Sequence, residues 1–223
     1  MEILYKVHQN LYVNLTNQCP CACTFCLRQT MDYVGESVGI REGSAKQGGQ
    51  DAVSLWLEHE PTFREVIKAF SSQDMTQYNE VVFCGFGEPM MAFDMLKQVA
   101  SYVKDAYGKP VRVNTNGLGN LICGRDITPE LHGLVDTISI SLNTPDAKKY
   151  HELVRSRYGE KSFEAMLDFA KKCTGYVPNV VLTTVDTTLT KEEEAQCRKI
   201  CDDIGAVYRI RAWEGEPHGA SNI

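Results

Sequence analysis

The residues with the clearest capacity for chemistry are four cysteines in one short loop. Cys19, Cys21, Cys23 and Cys26 fall within eight residues, directly after an alternating run that predicts a β-strand. Three of them, the first, third and fourth, have the spacing C-x3-C-x2-C, which lets one loop fold three thiolates around a single inorganic centre. Thiolates are soft ligands that select iron–sulfur clusters, zinc or cuprous copper. A cubane cluster normally takes four cysteines, so three would leave one iron with an open position for a substrate.

The loop at residues 17–28, Asn-Gln-Cys-Pro-Cys-Ala-Cys-Thr-Phe-Cys-Leu-Arg, resembles the signature of the radical S-adenosylmethionine (radical SAM) superfamily. Together with later motifs, it is most similar to the TatD-associated radical SAM family. The resemblance implies a [4Fe–4S] cluster on Cys19, Cys23 and Cys26, with S-adenosylmethionine (SAM) as the second cofactor. It implies reductive cleavage of SAM to a 5′-deoxyadenosyl radical, which abstracts hydrogen from an unidentified substrate. Cys21 lies outside the family spacing, and we expect it to be a non-ligand.

Other interpretations of the cysteines remain open. A structural zinc site would need a fourth Cys or His at a compatible spacing, and the next thiol, Cys84, lies in a predicted strand. A disulfide pair would be more typical of a secreted mini-protein. The functional alternative is a non-catalytic iron–sulfur or zinc module for electron transfer or structure. It predicts no SAM binding and leaves the polar residues at the strand ends without a role.

The composition is typical of an intracellular globular enzyme. Hydrophobic residues make up 43% and charged residues 23% of the 223 residues. The net charge of −6 argues against a broad nucleic-acid surface. The N-terminus lacks the features of a signal peptide, and no apolar run approaches the length of a membrane span. We therefore expect a cytoplasmic protein without membrane contact, reduced by a cytosolic flavodoxin- or ferredoxin-like donor.

The chain alternates between predicted strands and helices. Such alternation implies a parallel sheet with helices outside, and no clear break marks a second domain, so we expect a single domain over residues 1–223. A full eight-fold barrel takes about 250 residues, so six units predict an α/β fold with a partial (β/α)6 TIM-type barrel. The radical SAM resemblance implies the same open barrel. The six predicted strands are 11–16, 81–84, 111–113, 137–142, 180–185 and 207–212.

A glycine-rich motif follows the second predicted strand. Gly85, Phe86, Gly87 and Glu88 are similar to the GGEP motif of radical SAM enzymes, with Phe86 in place of a glycine. The resemblance implies that this stretch binds the amino group of SAM through its backbone. Glycine lets a backbone approach a ligand closely. The alternative is a tight strand-to-helix turn.

Polar residues end the third and fourth predicted strands. Ser and Asn suit ribose hydroxyls because they both donate and accept hydrogen bonds. By resemblance, Ser141 and Asn143 bind the ribose of SAM, and Asn116 contributes. Helix capping or an Asx turn is the alternative for each of them.

Several arginines are further candidates. Arg28 and Arg155 are candidates to neutralise the carboxylate of SAM. Asp186, Arg209, Arg211 and Trp213 are candidates to border adenine or substrate. The alternative for the two arginines is a solvent-facing position or a pairing with acidic residues.

Residues 31–51 predict a long irregular loop. Five glycines between positions 35 and 49 make a fixed conformation entropically costly. We expect residues 35–50 to close over substrate as a lid, with a surface loop of no function as the alternative. The family resemblance also suggests a functional association with a TatD-type nuclease.

Overall fold

The computed structural model describes residues 1–26, 28, 33–34 and 53–212. Nine strands lie in this part of the chain: β1 (Leu4–Val7), β2 (Asn10–Val13), β3 (Tyr33–Val34), β4 (Val53–Ser54), β5 (Val81–Phe83), β6 (Val111–Thr115), β7 (Thr137–Ser141), β8 (Asn179–Val185) and β9 (Val207–Arg211). Seven of them form the main sheet in the order β1-β2-β5-β6-β7-β8-β9. The other two, β3 and β4, pair with each other.

Helices connect the parallel strands of the main sheet. The described α-helices are α1 (Phe63–Ser71), α2 (Phe93–Tyr107), α3 (Gly119–Cys123), α4 (Ala147–Val154), α5 (Ser162–Cys173) and α6 (Lys191–Ile204). Short 3-10 helices lie at Met75–Gln77, Pro89–Ala92, Thr128–Leu131 and Gly159–Lys161. All neighbours from β2 to β9 pair in parallel. The predicted α/β fold with six parallel strands is therefore confirmed.

One strand of the sheet was not predicted. β1 pairs antiparallel with β2, with Leu4 opposite Val13 and Val7 opposite Asn10. The two-residue turn between them places His8 in the left-handed region, with φ of 52°. Two-residue hairpin turns are usually recognised by Asn-Gly or a similar pair, and this turn carries no such pair.

Capping residues fix where the helices begin. Thr62 and Glu65 form a capping box at α1, so this helix begins at Phe63. Thr190 and Glu193 form a second capping box, in which Thr190 is the N-cap of α6.

The two faces of the sheet differ in polarity. On β6, Val111 and Val113 are fully buried in the apolar core shared with the helices. Side chains alternate along a strand, so Arg112 and Asn114 point to the opposite face, which we call the inner face. Register places Arg112 beside Thr137 of β7. Polar side chains on the inner face are thus available for ligand binding.

The predicted first strand, 11–16, is shorter in the structure and ends at Val13. The side-chain amide of Asn14 donates to the carbonyl oxygen of Leu55 at 2.7 Å, and that of Asn17 donates to the carbonyl oxygen of Leu57 at 2.7 Å. Leu55 and Leu57 are both buried. The segment after the irregular loop is therefore bound to the residues that follow β2.

The ends of the irregular loop meet in a short ladder, with Tyr33 opposite Ser54 and Val34 opposite Val53. The predicted lid, residues 35–50, lies outside the described residues. In the part of the chain that is described, no helix combines the length and apolar character needed to cross a membrane.

Candidate cofactor site

The stretches singled out by the sequence lie at one edge of the main sheet. The cysteine loop follows β2, residues 85–88 follow β5, Asn116 follows β6, and Ser141 ends β7, with Asn143 close behind. These four strands are consecutive parallel neighbours. Their carboxyl ends therefore meet at the edge where barrels of this architecture carry their chemistry.

The backbone of the cysteine loop is bound to the end of α4. Cys21 forms an antiparallel bridge with Ser156. The N–H of Thr24 donates to the carbonyl oxygen of Leu153 at 2.9 Å. The loop is therefore positioned by backbone contacts from an element more than a hundred residues away in the sequence.

The cysteines of this loop differ in their protonation. The Cys21 thiol lies within hydrogen-bonding reach of Cys19 and Cys23, and these contacts raise the pKa of Cys21 far above its usual value. Cys19 accepts a hydrogen bond from the Cys21 thiol, which lowers the pKa of Cys19 to about 6. The charge of Arg28 lowers this pKa to a smaller extent. The hydrogen bond from Cys21, and to a smaller extent the charge of Arg28, also lower the pKa of Cys23. Burial raises the pKa of Cys26. Two of the predicted ligands are thus disposed toward thiolate, the form that binds metals.

The described residues offer no set of three or more Cys, His, Asp or Glu side chains arranged to hold one metal ion. A structural zinc site needs four ligands around a single ion. A cubane cluster instead presents a different iron to each cysteine, so its ligands surround a larger body.

Glu88 connects the ends of β5 and β6 through a buried carboxylate. Its Oε1 accepts from the Thr115 hydroxyl at 2.6 Å and from the N–H of Met90 at 3.1 Å. Its Oε2 accepts from the N–H of Asn116 at 2.8 Å. Burial raises the pKa of Glu88 to about 7, against the opposing effect of these donors. The N–H of Glu88 donates to the carbonyl oxygen of Gln18 at 2.8 Å, which ties the glycine motif to the cysteine loop.

The two glycines of the motif lie against residues that follow β2. A Cβ at Gly85 would stand 2.1 Å from Oδ1 of Asn14, and one at Gly87 would stand 2.1 Å from the carbonyl oxygen of Thr16. Real Cβ atoms do not approach so closely, so both positions require glycine. Close packing of two strand ends accounts for these glycines even before a ligand is considered.

Phe86 packs outside this network. It forms a small apolar cluster with Tyr5 and Leu55, and its ring lies 5.1 Å from that of Trp56 in an edge arrangement. Its side chain therefore helps to hold the segment around Leu55.

Asn116 is already engaged by the protein. Its Oδ1 accepts from the N–H of Leu118 at 2.9 Å, which is an Asx turn, and its Nδ2 donates to the Cys21 sulfur at 3.6 Å. The structure thus places Asn116 against the cysteine loop.

Ser141 and Asn143 stand apart from those contacts. Within the described residues neither side chain has a hydrogen-bonding partner, and both are half-buried. Asn143 has φ of 63°, a left-handed conformation that asparagine tolerates better than most residues. These two side chains are available to a ligand, and their ligand roles stay predictions.

Two arginines proposed for the SAM carboxylate have different environments. Nη1 of Arg28 donates to the carbonyl oxygen of Asn17 at 3.2 Å, so Arg28 belongs to the cysteine loop. Arg155 is exposed at the end of α4. Trp213 lies outside the described residues.

The sequence profile of the Radical SAM superfamily matches residues 13–204 of the chain. The chain belongs to the radical SAM superfamily. A search of the curated proteins found no significant match.

Solved structures share the fold of this radical SAM protein. SuiB from Streptococcus suis bound to its precursor peptide SuiA has a TM-score of 0.62 and 14% identity, over 92% of this chain and 39% of SuiB. SuiB bound to S-adenosylmethionine has a TM-score of 0.58 and 15% identity, over 93% of this chain and 39% of SuiB. A radical SAM methyltransferase from Sphaerobacter thermophilus has a TM-score of 0.59 and 13% identity, over 94% of this chain and 57% of the methyltransferase. The chain thus has the partial TIM-type barrel of radical SAM enzymes and spans 39% to 57% of the length of these relatives.

Sequence reasoning missed several residues that build the site of this radical SAM protein. The side chain of Glu88 was assigned to the SAM motif without its buried bonds to Thr115 and Asn116. Arg112 was not considered, although it alternates with Val111 and Val113 in a way that predicts the opposite face of the sheet. The contacts of the α4 end had no signal in the sequence, because they depend on tertiary packing.

Proposed function

We propose that the chain is a radical SAM enzyme that binds a [4Fe–4S] cluster through Cys19, Cys23 and Cys26 and reductively cleaves SAM. The observation that carries this proposal is the junction of the cysteine loop and the glycine motif, joined by the 2.8 Å bond from Glu88 to Gln18. When bound, the cluster and SAM supply the chemistry: one electron cleaves SAM to methionine and a 5′-deoxyadenosyl radical, which abstracts hydrogen from the substrate.

The protein residues position the cofactors. Cys19, Cys23 and Cys26 would hold three irons, and the hydrogen bonds from the Cys21 thiol, with a smaller effect from the charge of Arg28, favour the thiolate form of the first two. Cys21 stays outside the ligand set, where its thiol donates to its neighbours instead. The α4 end fixes the loop at the edge of the sheet that also carries the glycine motif, where the three cysteines would hold the cluster.

The SAM residues extend across neighbouring strand ends. Carbonyl oxygens in residues 85–87, which accept no hydrogen bond within the described residues, accept from the amino group of SAM, and the buried Glu88 carboxylate keeps their backbone in place. Ser141 and Asn143 bind the ribose hydroxyls with side chains that the described protein leaves without partners. Asn116 follows β6, between the glycine motif after β5 and the ribose residues at the end of β7, and supports both.

The partners follow from this chemistry. The enzyme takes its electron from a flavodoxin- or ferredoxin-like donor in the cytoplasm. The similarity of its motifs to the TatD-associated radical SAM family supports a functional association with a TatD-type nuclease, and the substrate is to be sought among molecules that such a pairing would process.

Electron paramagnetic resonance tests this proposal. The protein is reconstituted with iron and sulfide without oxygen, reduced with dithionite, and measured with and without SAM. We expect a [4Fe–4S] signal that changes on SAM addition, because SAM occupies the open iron. The electron-transfer alternative would be supported if the cluster signal does not change on SAM addition and calorimetry detects no SAM binding.

The ribose contact gives a sharper test of the SAM residues. Asn143→Ala should weaken SAM binding by about 1–3 kcal/mol, because a buried ribose hydroxyl loses its partner. Iron content should not change, since Asn143 is not one of the proposed cluster ligands. Asn143→Gly serves as the control for the left-handed backbone, because it keeps the conformation without the side chain. Calorimetry that shows wild-type SAM affinity in both variants would reduce Asn143 to a turn residue.

A further inference from the structure

Three arginines meet on the inner face of the sheet. Arg112 lies on β6, and Arg209 and Arg211 lie on β9. Register places Arg209 beside Thr183, which in turn lies beside Ser141. Nη2 of Arg209 reaches across to the hydroxyl of Ser139 on β7 at 3.5 Å. The three arginines therefore lie on the same face of the sheet as Ser141, and Arg209 is in register with it through Thr183.

These charges are incompletely balanced. Nη2 of Arg112 pairs with Oε1 of Glu80 at 2.9 Å and also donates to the Tyr12 hydroxyl at 3.4 Å. Within the described residues, neither Arg209 nor Arg211 has a carboxylate partner. Three positive charges and the one negative charge of Glu80 leave a local excess of two positive charges.

The cost of this crowding is visible at Arg209. Arg209 and Arg211 are exposed residues, yet partial burial lowers the pKa of Arg209, and the charges of Arg112 and Arg211 lower it further. Mutual repulsion of this kind is relieved when an anion binds between the groups.

Two buried atoms on the same face also lack partners. Nε of Arg112 is a donor, and Oδ1 of Asn114 is an acceptor, and neither has a hydrogen bond within the described chain. Buried polar atoms are nearly always satisfied in native proteins. A ligand that carries both acceptor oxygens and a hydroxyl donor would satisfy the two together.

Two acidic groups at the strand ends do not fill this role. The buried carboxylate of Glu88 is already bonded to Thr115, Met90 and Asn116. Oδ1 of Asp186 accepts from the N–H of Thr187, beyond the end of β8.

We propose that the inner face binds the phosphate of a phosphate monoester substrate through Arg209 and Arg211, with Arg112 and Ser139 completing the contacts. This inference rests on the proposed function, because it names the substrate class for the same barrel. Guanidinium groups bind phosphate through paired hydrogen bonds. A phosphate monoester carries a charge of about −1.5 to −2 at neutral pH, which matches the local excess better than a single carboxylate does. A hydroxyl on the organic part of the ester donates to Asn114.

Calorimetry with methyl phosphate tests the proposal on anaerobically reconstituted protein in a phosphate-free buffer. Arg209→Gln and Arg211→Gln should each weaken binding by about tenfold or more, since each removes a charged pair. Arg209→Lys keeps the charge but loses the paired geometry and should fall between wild type and Arg209→Gln. Arg64→Gln is the matched control, because it makes the same charge change at an equally exposed residue that lies on α1 instead of the inner face, and it should bind as wild type does.

Three results would overturn the proposal. The first is methyl phosphate binding that is absent or that does not depend on these arginines. The second is tighter arginine-dependent binding of succinate, which would assign the face to carboxylates. The third is a loss of SAM affinity in the same variants, which would assign the arginines to the carboxylate of SAM. No reductant is used in the titration, so its outcome is independent of SAM cleavage. Phosphate binding in a protein that does not cleave SAM would contradict the proposed function. SAM cleavage by a protein that does not bind phosphate would contradict only this inference.

Discussion

Alanine at Cys19, Cys23 or Cys26 is expected to abolish the [4Fe–4S] signal, while Cys21→Ala retains it. Each of the three predicted ligands would hold a different iron, so the loss of one thiolate would leave an iron without protein support. The expected effect is close to complete loss of cluster iron and of the visible absorbance. Iron and sulfide assays after anaerobic reconstitution measure it.

The position of Cys21 makes it an informative comparison. Its sulfur is buried and lies within hydrogen-bonding reach of Cys19 and Cys23. Removing it deletes a donor next to two ligands but no ligand, so the cluster should assemble with an altered spectrum. Cys123→Ala is the control for loss of a thiol elsewhere, because Cys123 lies on α3 away from the loop. Loss of the cluster in Cys21→Ala together with its retention in Cys23→Ala would contradict the assignment.

Replacement of Glu88 should have the largest effect on stability. Glu88→Ala leaves the Thr115 hydroxyl and the N–H groups of Met90 and Asn116 without an acceptor in a buried site. The free energy of unfolding should fall by about 3 kcal/mol, since each orphaned donor costs about 1–3 kcal/mol and the relief of a buried carboxylate offsets part of the sum. Urea denaturation of the metal-free protein measures the change. Glu130→Ala, on the protein surface, is the control for loss of a carboxylate and should cost much less.

The same carboxylate predicts a pH dependence. Its pKa is about 7 in the folded protein, against an ordinary value of 4.5 for a glutamate exposed to water. Between these values the folded state binds more protons than the unfolded state, so the contribution of Glu88 to stability is full below pH 4.5 and is lost as the pH rises through 7. Glu88→Gln does not titrate. The stability of wild type relative to Glu88→Gln should therefore fall from acid to neutral pH by on the order of 3 kcal/mol. A difference that stays constant, or that grows with pH, would show that the donors outweigh burial.

The parallel part of the fold could be predicted because its signals are local. Alternation and apolar runs identified the strands from β5 to β9, and the capping box at Thr190 gave the start of α6. The order of the cysteine loop, the glycine motif and the polar strand ends along the chain was enough to place them at one edge, because parallel strands present their carboxyl ends together.

The remaining features depend on contacts distant in sequence. β1 forms because a two-residue turn at His8 folds it onto β2, and no turn residue announces it. The binding of Leu55 to Asn14 and of Ser156 to Cys21 follows from packing of the whole chain. The charge balance of the inner face also required the register of β6 and β9, since Arg112 and Arg209 are far apart in the sequence.

The formation of 5′-deoxyadenosine tests the central claim most directly. Anaerobically reconstituted protein is incubated with SAM and dithionite, and the products are quantified by mass spectrometry. We expect 5′-deoxyadenosine and methionine in equal amounts from wild type, and neither product from Cys26→Ala or from samples without reductant. A protein that holds its full cluster and binds SAM, yet releases no 5′-deoxyadenosine under reduction, would contradict the account.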